Sequence, residues 1–223
     1  MTILFVLLMF LIVMAINYYT KEDQQPPVVA KQVPRAREVA MPRLSRESGF
    51  EIPQGYLFHP GHTWAVDEGG HNARIGVDSL TTHLLGKVTG IEVIGLNRWI
   101  RQGQKIFTVK SNGMSVDMVS PVEGVLITAN EEVLRNPAIV QKDPYKDGWI
   151  CVVQSPDLQT NIKNLLRGSF IGPWIQSTVR RITTMLPQSA AALAQDGGVP
   201  VSGILAQLEP EVRQAIVKQV FLT

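Results

Sequence analysis

The chain begins with an unbroken apolar run, which predicts a helix. Residues 3–16 are all apolar, and Tyr18 and Tyr19 follow shortly after. A helix over residues 3–19 would be about 25 Å long at 1.5 Å per residue, the low end of what crosses a bilayer. Because no Lys or Arg precedes the run and no small-residue cleavage motif follows it, we predict a retained transmembrane anchor over residues 1–19. A cleaved signal peptide and a buried core helix are the alternatives.

Basic residues follow the apolar run and set the expected orientation. From Lys21 to Glu47 the sequence contains six Lys or Arg residues and four acidic residues. Positive residues flanking a membrane helix favour the cytoplasmic side. The sequence therefore predicts a single-pass membrane protein whose residues 3–19 contact lipid and whose C-terminal domain is cytoplasmic.

Residues 20–50 contain prolines and mixed charges in no helical or strand period. Pro26, Pro27, Pro34 and Pro42 interrupt any regular pattern. Such composition is typical of an extended or disordered linker, which is our prediction for 20–50. The alternative is a strap that follows the surface of a partner protein.

From Tyr56 onward, short apolar runs alternate with turn residues. The runs read HTWAVD, ARIGVDS, KVTGIEVIG, QKIFTVKS, MSVDMVSP and GVLITANE. This spacing predicts a small antiparallel β-domain with several hairpins. Two helices are expected within it, at Ser79–Leu85 and at Asn130–Asn136, the second with Asn130 as its N-cap.

The last part of the chain, residues 167–223, has a helical pattern. Apolar residues recur at helical spacing over Ser177–Leu186 and over Pro210–Phe221, and Ser189–Ala194 is rich in alanine. We expect a helical extension whose apolar faces either pack on the β-domain or dock a partner.

Composition and charge exclude several classes of function. The chain has 223 residues, 45% hydrophobic and 18% charged, which is typical of a globular protein. One cysteine rules out a disulfide framework and multi-cysteine metal sites. With 21 basic and 19 acidic residues, the chain has no overall charge that would attract nucleic acid.

No residue pattern indicates catalysis or metal binding. His59 and His62 lack further ligands at metal-site spacing, His71 falls in a turn, and His83 falls on a short helix. Cys151 lies in a β-run without a catalytic signature. We therefore predict no catalytic residue, no metal, no cofactor and no enzymatic activity.

Several short motifs occur in the order and spacing of one known family. They are His62-Thr63-Trp64, Ile75-Gly76-Val77-Asp78 with Leu85-Gly86, Val119-Ser120-Pro121-Val122-Glu123-Gly124, Asn130-Glu131, Leu134 through Pro137, and Asp143-Pro144-Tyr145 with Gly148-Trp149-Ile150. The stretch from Tyr56 to Leu166 resembles the H protein of the glycine cleavage system. The resemblance implies a mainly β (α+β) lipoyl/biotinyl-like barrel-sandwich hybrid, which we place at residues 51–166.

In that family, a lysine at a hairpin tip, within Glu-Ser-Val-Lys-Ala, carries a lipoyl group. Aligning backwards from Ser120-Pro121 without a gap places the acceptor position on Gly113, which has no side-chain amine. Asn112-Gly113 instead predicts a two-residue type I′ turn. Lys110 is the nearest lysine, about 10 Å away along the strand, and is the substitute acceptor that we consider.

These observations lead to a functional hypothesis. We expect a non-catalytic, non-lipoylated H-protein-like accessory or scaffold subunit of a membrane-bound complex, with other protein subunits as partners and no nucleic acid. One alternative is a lipoyl-type carrier modified at Lys110. The other is a decoy or regulator of lipoate-handling enzymes.

Overall fold

The structure is a computed structural model that describes residues 44–187 and 199–222, together with Met9 and Met14. Its strands are β1 (Leu44–Glu47), β2 (Phe50–Pro53), β3 (Leu57–Phe58), β4 (Thr63–Gly69), β5 (Asn72–Val77), β6 (Val88–Val93), β7 (Trp99–Ile100), β8 (Lys105–Ser111), β9 (Met114–Val119), β10 (Gly124–Ala129) and β11 (Cys151–Gln154). Its helices are α1 (Ser79–Leu85), α2 (Glu131–Arg135), α3 (Ala138–Lys142), α4 (Leu158–Asn161), α5 (Ile171–Met185), α6 (Ile204–Gln207) and α7 (Pro210–Phe221). Short 3-10 turns occur at Ile162–Asn164 and Gly168–Phe170.

Two antiparallel sheets form the body of the domain. One has six strands in the order β3-β4-β5-β11-β10-β7, and the other has three strands in the order β6-β8-β9. Strand β9 shows why the sequence folds in this way, since Val116 and Met118 are buried while Ser115 is exposed. This alternation gives the sheet one apolar face for the core. The predicted mainly β fold with interspersed helices is confirmed.

A tryptophan on β4 lies at the centre of the core. Trp64 is fully buried, and its indole N–H donates to the carbonyl oxygen of Val77 at 2.8 Å. A Cβ at Gly76, on the neighbouring strand, would overlap the indole ring. The pair therefore requires glycine at position 76 to admit the largest side chain of the core.

The C-terminal helices pack on the β-domain. In α5, Ile171, Ile175 and Ile182 are buried, and in α7 Phe221 is fully buried. The tail also belongs to the same compact unit as the sheets. The apolar faces of these two helices are thus covered by the protein itself, the first of the two arrangements considered for the tail.

The β1–β2 hairpin lies partly within the predicted linker. Strand β1 begins at Leu44, and Ser48 and Gly49 form its turn with positive φ values of 51° and 84°. Helix α5 begins at Ile171, earlier than the expected Ser177. The predicted helix over Ser189–Ala194 lies outside the described residues.

The predicted membrane location is wrong. In the part of the chain that the structure describes, no helix is both long enough and apolar enough to span a bilayer. The longest, α5, has 15 residues and includes Arg180 and Arg181, whereas a membrane span needs about 20 apolar residues. Residues 3–19, the proposed anchor, lie outside the described residues except for Met9 and Met14. A single-pass protein with a cytoplasmic C-terminal domain is therefore not proposed further.

Candidate functional site

The candidate site is the tip of the hairpin formed by β8 and β9. The register pairs Ser111 with Met114, which leaves Asn112 and Gly113 as the two turn residues. Their φ values are 45° and 78°. Two consecutive positive φ angles are characteristic of a type I′ turn, so the predicted turn is confirmed.

The tip projects into open space. Asn112 and Gly113 are both exposed, and a Cβ added at Gly113 would have no neighbour within 4 Å. Glycine is therefore favoured at this position by its positive φ and not by crowding. A longer side chain would fit at this position. Glycine, however, has no side-chain amine, so Gly113 cannot form a side-chain amide bond.

Below the tip, the hairpin is held by the end of α1 and by the tail. Ser111 Oγ donates to the carbonyl oxygen of Leu85 at 2.6 Å. A Cβ at Gly86 would lie 2.8 Å from the Cα atom of Gly203 and 3.6 Å from Nδ2 of Asn112. The backbone N–H of Gly203 also donates to the carbonyl oxygen of His83 at 2.8 Å. Hairpin, helix and tail therefore meet next to the turn, a contact that sequence patterns did not predict.

Lys110, the substitute acceptor, lies below the tip and is held by a carboxylate. Its register partner is Ser115, and its Nζ forms an ion pair with Glu92 on β6. Its side-chain methylenes lie beside Gly90, since a Cβ there would be 3.5 Å from Cδ of Lys110. Glu92 was not identified from the sequence, because its proximity to Lys110 depends on the pairing of β6 with β8.

Lys105 is engaged in the same way on the same hairpin. Its Nζ lies 2.6 Å from Oδ1 of Asp117. Burial acts to raise the pKa of Asp117, but hydrogen bonds from Lys105 and Thr108 outweigh it and hold this pKa below the usual value. Both lysines of the hairpin thus face a carboxylate across the sheet, and both lysine side chains remain partly exposed.

His62 is a buried structural residue. Its Nδ1 lies 2.6 Å from Oδ2 of Asp78, and its ring stacks on Trp174 of α5 with centroids 4.4 Å apart. Oδ1 of Asp78 accepts from the backbone N–H of Thr81 at 2.8 Å and so caps α1. The histidine therefore connects its own loop, the start of α1 and the tail. The contact with Trp174 links it to a segment more than one hundred residues away.

The remaining candidate residues are dispersed. Burial and the neighbouring His62 lower the pKa of His59 to about 4. The backbone carbonyl of His71 accepts from Ser155 N–H, while Nε2 of His83 lies 2.7 Å from the carbonyl oxygen of Pro200. Cys151 is fully buried, and burial raises the pKa of its thiol. Within the described ranges, no three metal-ligating side chains come together.

A mainly β domain of two antiparallel sheets with an exposed hairpin tip fits the class of lipoyl-like barrel-sandwich domains. Comparison with known families is more specific. The sequence profile described as "Glycine cleavage H-protein" matches residues 56–173, which is more than half of the chain. The chain belongs to this family.

Curated relatives match the same region. The glycine cleavage system H protein of Prochlorococcus marinus is 31% identical over 108 residues, covering 48% of this chain and 83% of that protein. A probable glycine cleavage system H protein 2 of Sulfolobus acidocaldarius is 29% identical over 125 residues, covering 55% and 83%. The crystal structure of an H protein from Mycobacterium marinum is 23% identical with a TM-score of 0.44, covering 47% of this chain and 87% of that one.

Proposed function

We propose that this protein is a non-catalytic, non-lipoylated member of the H-protein family that acts as an accessory subunit by binding another protein. The observation that carries the proposal is Gly113. It occupies the exposed tip of the hairpin where alignment of the family motif would place the lipoyl-acceptor lysine. A residue without a side-chain amine cannot form the amide bond on which a carrier depends.

The environment of Lys110 also supports a protein that is not lipoylated. A carrier lysine must present an unencumbered amine on a protruding turn, so that the modifying enzyme can reach it. Lys110 is paired with Ser115 near the end of β8, below the turn, and its amine forms an ion pair with the carboxylate of Glu92. Attachment there would require loss of this ion pair and access to a side chain lying against Gly90.

The tail supports a role other than that of a mobile carrier. Gly203 lies beside Gly86 and near Asn112, so the tail occupies surface next to the hairpin tip. Phe221 is buried against His62, with ring centroids 6.1 Å apart. The tail therefore adds a packed element beside the hairpin tip, the part of the domain on which a carrier would present its lipoyl arm.

Intact mass spectrometry tests the proposal. The full chain is co-expressed with a lipoate ligase and lipoate, while a lipoyl carrier domain that has its acceptor lysine verifies that the ligase is active. We expect the full chain to keep its unmodified mass. Addition of one lipoyl group would refute the proposal, and its loss in Lys110→Arg but not in Lys105→Arg would show that the protein is a carrier modified at Lys110. Stable binding of the ligase without modification would favour the decoy.

A further inference from the structure

An accessory subunit needs a surface for its partner, and the tail helices do not offer their apolar faces. Ile175 and Ile182 of α5 and Ile216 and Val220 of α7 are all buried on this chain. A docking surface would therefore be formed by apolar side chains that remain exposed in the described part of the chain.

Two such side chains are three residues apart in sequence, Leu96 in the connection between β6 and β7 and Trp99 at the start of β7. Leu96 and Trp99 are each 52% exposed, although Ile100, the next residue, is fully buried. Large apolar side chains exposed singly are common on protein surfaces, but tryptophan is enriched at the energetic centres of protein interfaces. A tryptophan and a leucine three residues apart form the apolar part of a candidate contact.

The backbone under these side chains is fixed. The N–H of Asn97 donates to the carbonyl oxygen of Leu126 at 2.8 Å, and the N–H of Leu126 donates to the carbonyl oxygen of Arg98 at 3.0 Å. Trp99 itself pairs with Val125, and β7 forms the edge of the six-stranded sheet. A loop that is ordered before binding loses little conformational entropy when a partner docks.

Two positive charges flank the apolar pair. Arg98 and Arg101 are both exposed, and neither guanidinium lies within ion-pair distance of a carboxylate among residues 44–187 and 199–222. By contrast, Lys105 and Lys110, a few residues further along the chain, are each paired with an acidic side chain. Unpaired arginines beside an exposed tryptophan complement a partner that is both apolar and acidic.

We propose that the loop formed by residues 95–101 docks a protein segment in which apolar side chains are flanked by Asp or Glu. This inference rests on the proposed function as an accessory subunit and names the chemistry of its partner. Nucleic acid is disfavoured as the occupant, because two arginines are a small basic patch in a chain with 21 basic and 19 acidic residues.

Three short synthetic peptides test the proposal on the full chain by calorimetry at low salt. All have leucine and phenylalanine at the same central positions, and they carry Glu, Gln or Lys at the flanking positions. We expect the Glu peptide to bind most tightly and the Lys peptide most weakly. Trp99→Ala should lower the affinity for the Glu peptide about tenfold or more, as at an interface hot spot. The double change Arg98→Glu and Arg101→Glu should make the Lys peptide bind more tightly than the Glu peptide.

Matched controls distinguish binding at this loop from non-specific binding to other exposed side chains. Phe170→Ala removes another exposed aromatic side chain, and Arg180→Glu reverses an exposed charge on α5; neither should alter the binding of the Glu peptide. Failure of the Glu peptide to bind, or equal loss in the controls, would overturn the proposal. The proposal would also be overturned if a single-stranded oligonucleotide bound more tightly than the Glu peptide, or if the chain formed a dimer that Trp99→Ala dissociates.

The two proposals fail in different ways. If the chain acquires a lipoyl group, the proposed function is wrong, whatever the peptides do. If the chain stays unmodified and the peptides do not bind through Trp99, only the docking loop is wrong.

Discussion

Removing the Phe221 side chain tests whether the tail is part of the folded domain. Phe221 lies in α7, is fully buried and contacts the ring of His62. Phe221→Ala removes buried apolar area and leaves a cavity, which together cost about 3–5 kcal/mol. At about 2–4 °C per kcal/mol for a chain of this size, the melting temperature should fall by about 10 °C.

The neighbouring Leu222 gives a matched control, because it is 51% exposed. Leu222→Ala should change the free energy of unfolding by less than about 0.5 kcal/mol, as is usual for surface positions. Both variants are compared by urea and thermal unfolding, and limited trypsin digestion at Lys218 reports on release of α7. If Phe221→Ala is no less stable than Leu222→Ala and is cut no faster than the parent chain, α7 does not pack on the domain.

Three further predictions concern other parts of the chain. Gly113→Lys should remain folded, since a side chain there meets no neighbour within 4 Å, but should lose about 1–2 kcal/mol because φ is 78°, as urea unfolding would show. Asn130→Ala should cost about 1 kcal/mol in the same assay, because its side chain accepts from the backbone N–H groups of Glu132 and Val133 at the start of α2. The pKa of His59 is lowered to about 4 by burial and by His62, so the unfolded chain takes up the proton first as pH falls from about 6.5. The stabilising contribution of neutral His59 is therefore present above pH 6.5 and lost toward pH 4, and His59→Asn should flatten the fall of the urea midpoint across this window.

Local signals in the sequence account for much of the fold. The asparagine–glycine pair identified the turn at Asn112, and apolar spacing identified α1 and α7 with the bounds that the structure has. These elements were predictable because the conformational preference of each is set by residues within a few positions. The turn is the clearest case, since both positive φ angles fall on residues that tolerate them.

Helix α5 begins six residues before the predicted Ser177 and includes Gly172 and Pro173, two residue types that are unfavourable in a helix interior. Proline is tolerated in the first turn of a helix, where its missing N–H would have no intrahelical partner. In the structure Pro173 is the third residue of α5, and Ile171 and Ile175 on either side are buried. Here burial of the apolar face, which depends on the rest of the domain, determined where the helix begins.

The contacts of the candidate site were harder to predict than the turn itself. The ion pair between Lys110 and Glu92 depends on the register of β6 against β8. The stacking of Trp174 on His62 and the approach of Gly203 to Gly86 join parts of the chain that are more than one hundred residues apart. No short pattern contains such pairings, so the surroundings of the hairpin tip required the three-dimensional structure.

Turn geometry and acceptor chemistry make different demands on position 113. A tight type I′ turn favours glycine, because a Cβ at positive φ costs about 1–2 kcal/mol, whereas a carrier needs a side chain that ends in an amine. In this chain the Asn112-Gly113 turn meets the first demand, and the two nearby lysines are held by Glu92 and Asp117. Under the proposed function, a hairpin of this kind stabilises the domain and does not carry a group between enzymes. The proposed role therefore depends on what the folded surface binds, and the contact that we propose is centred on Trp99, which is 52% exposed.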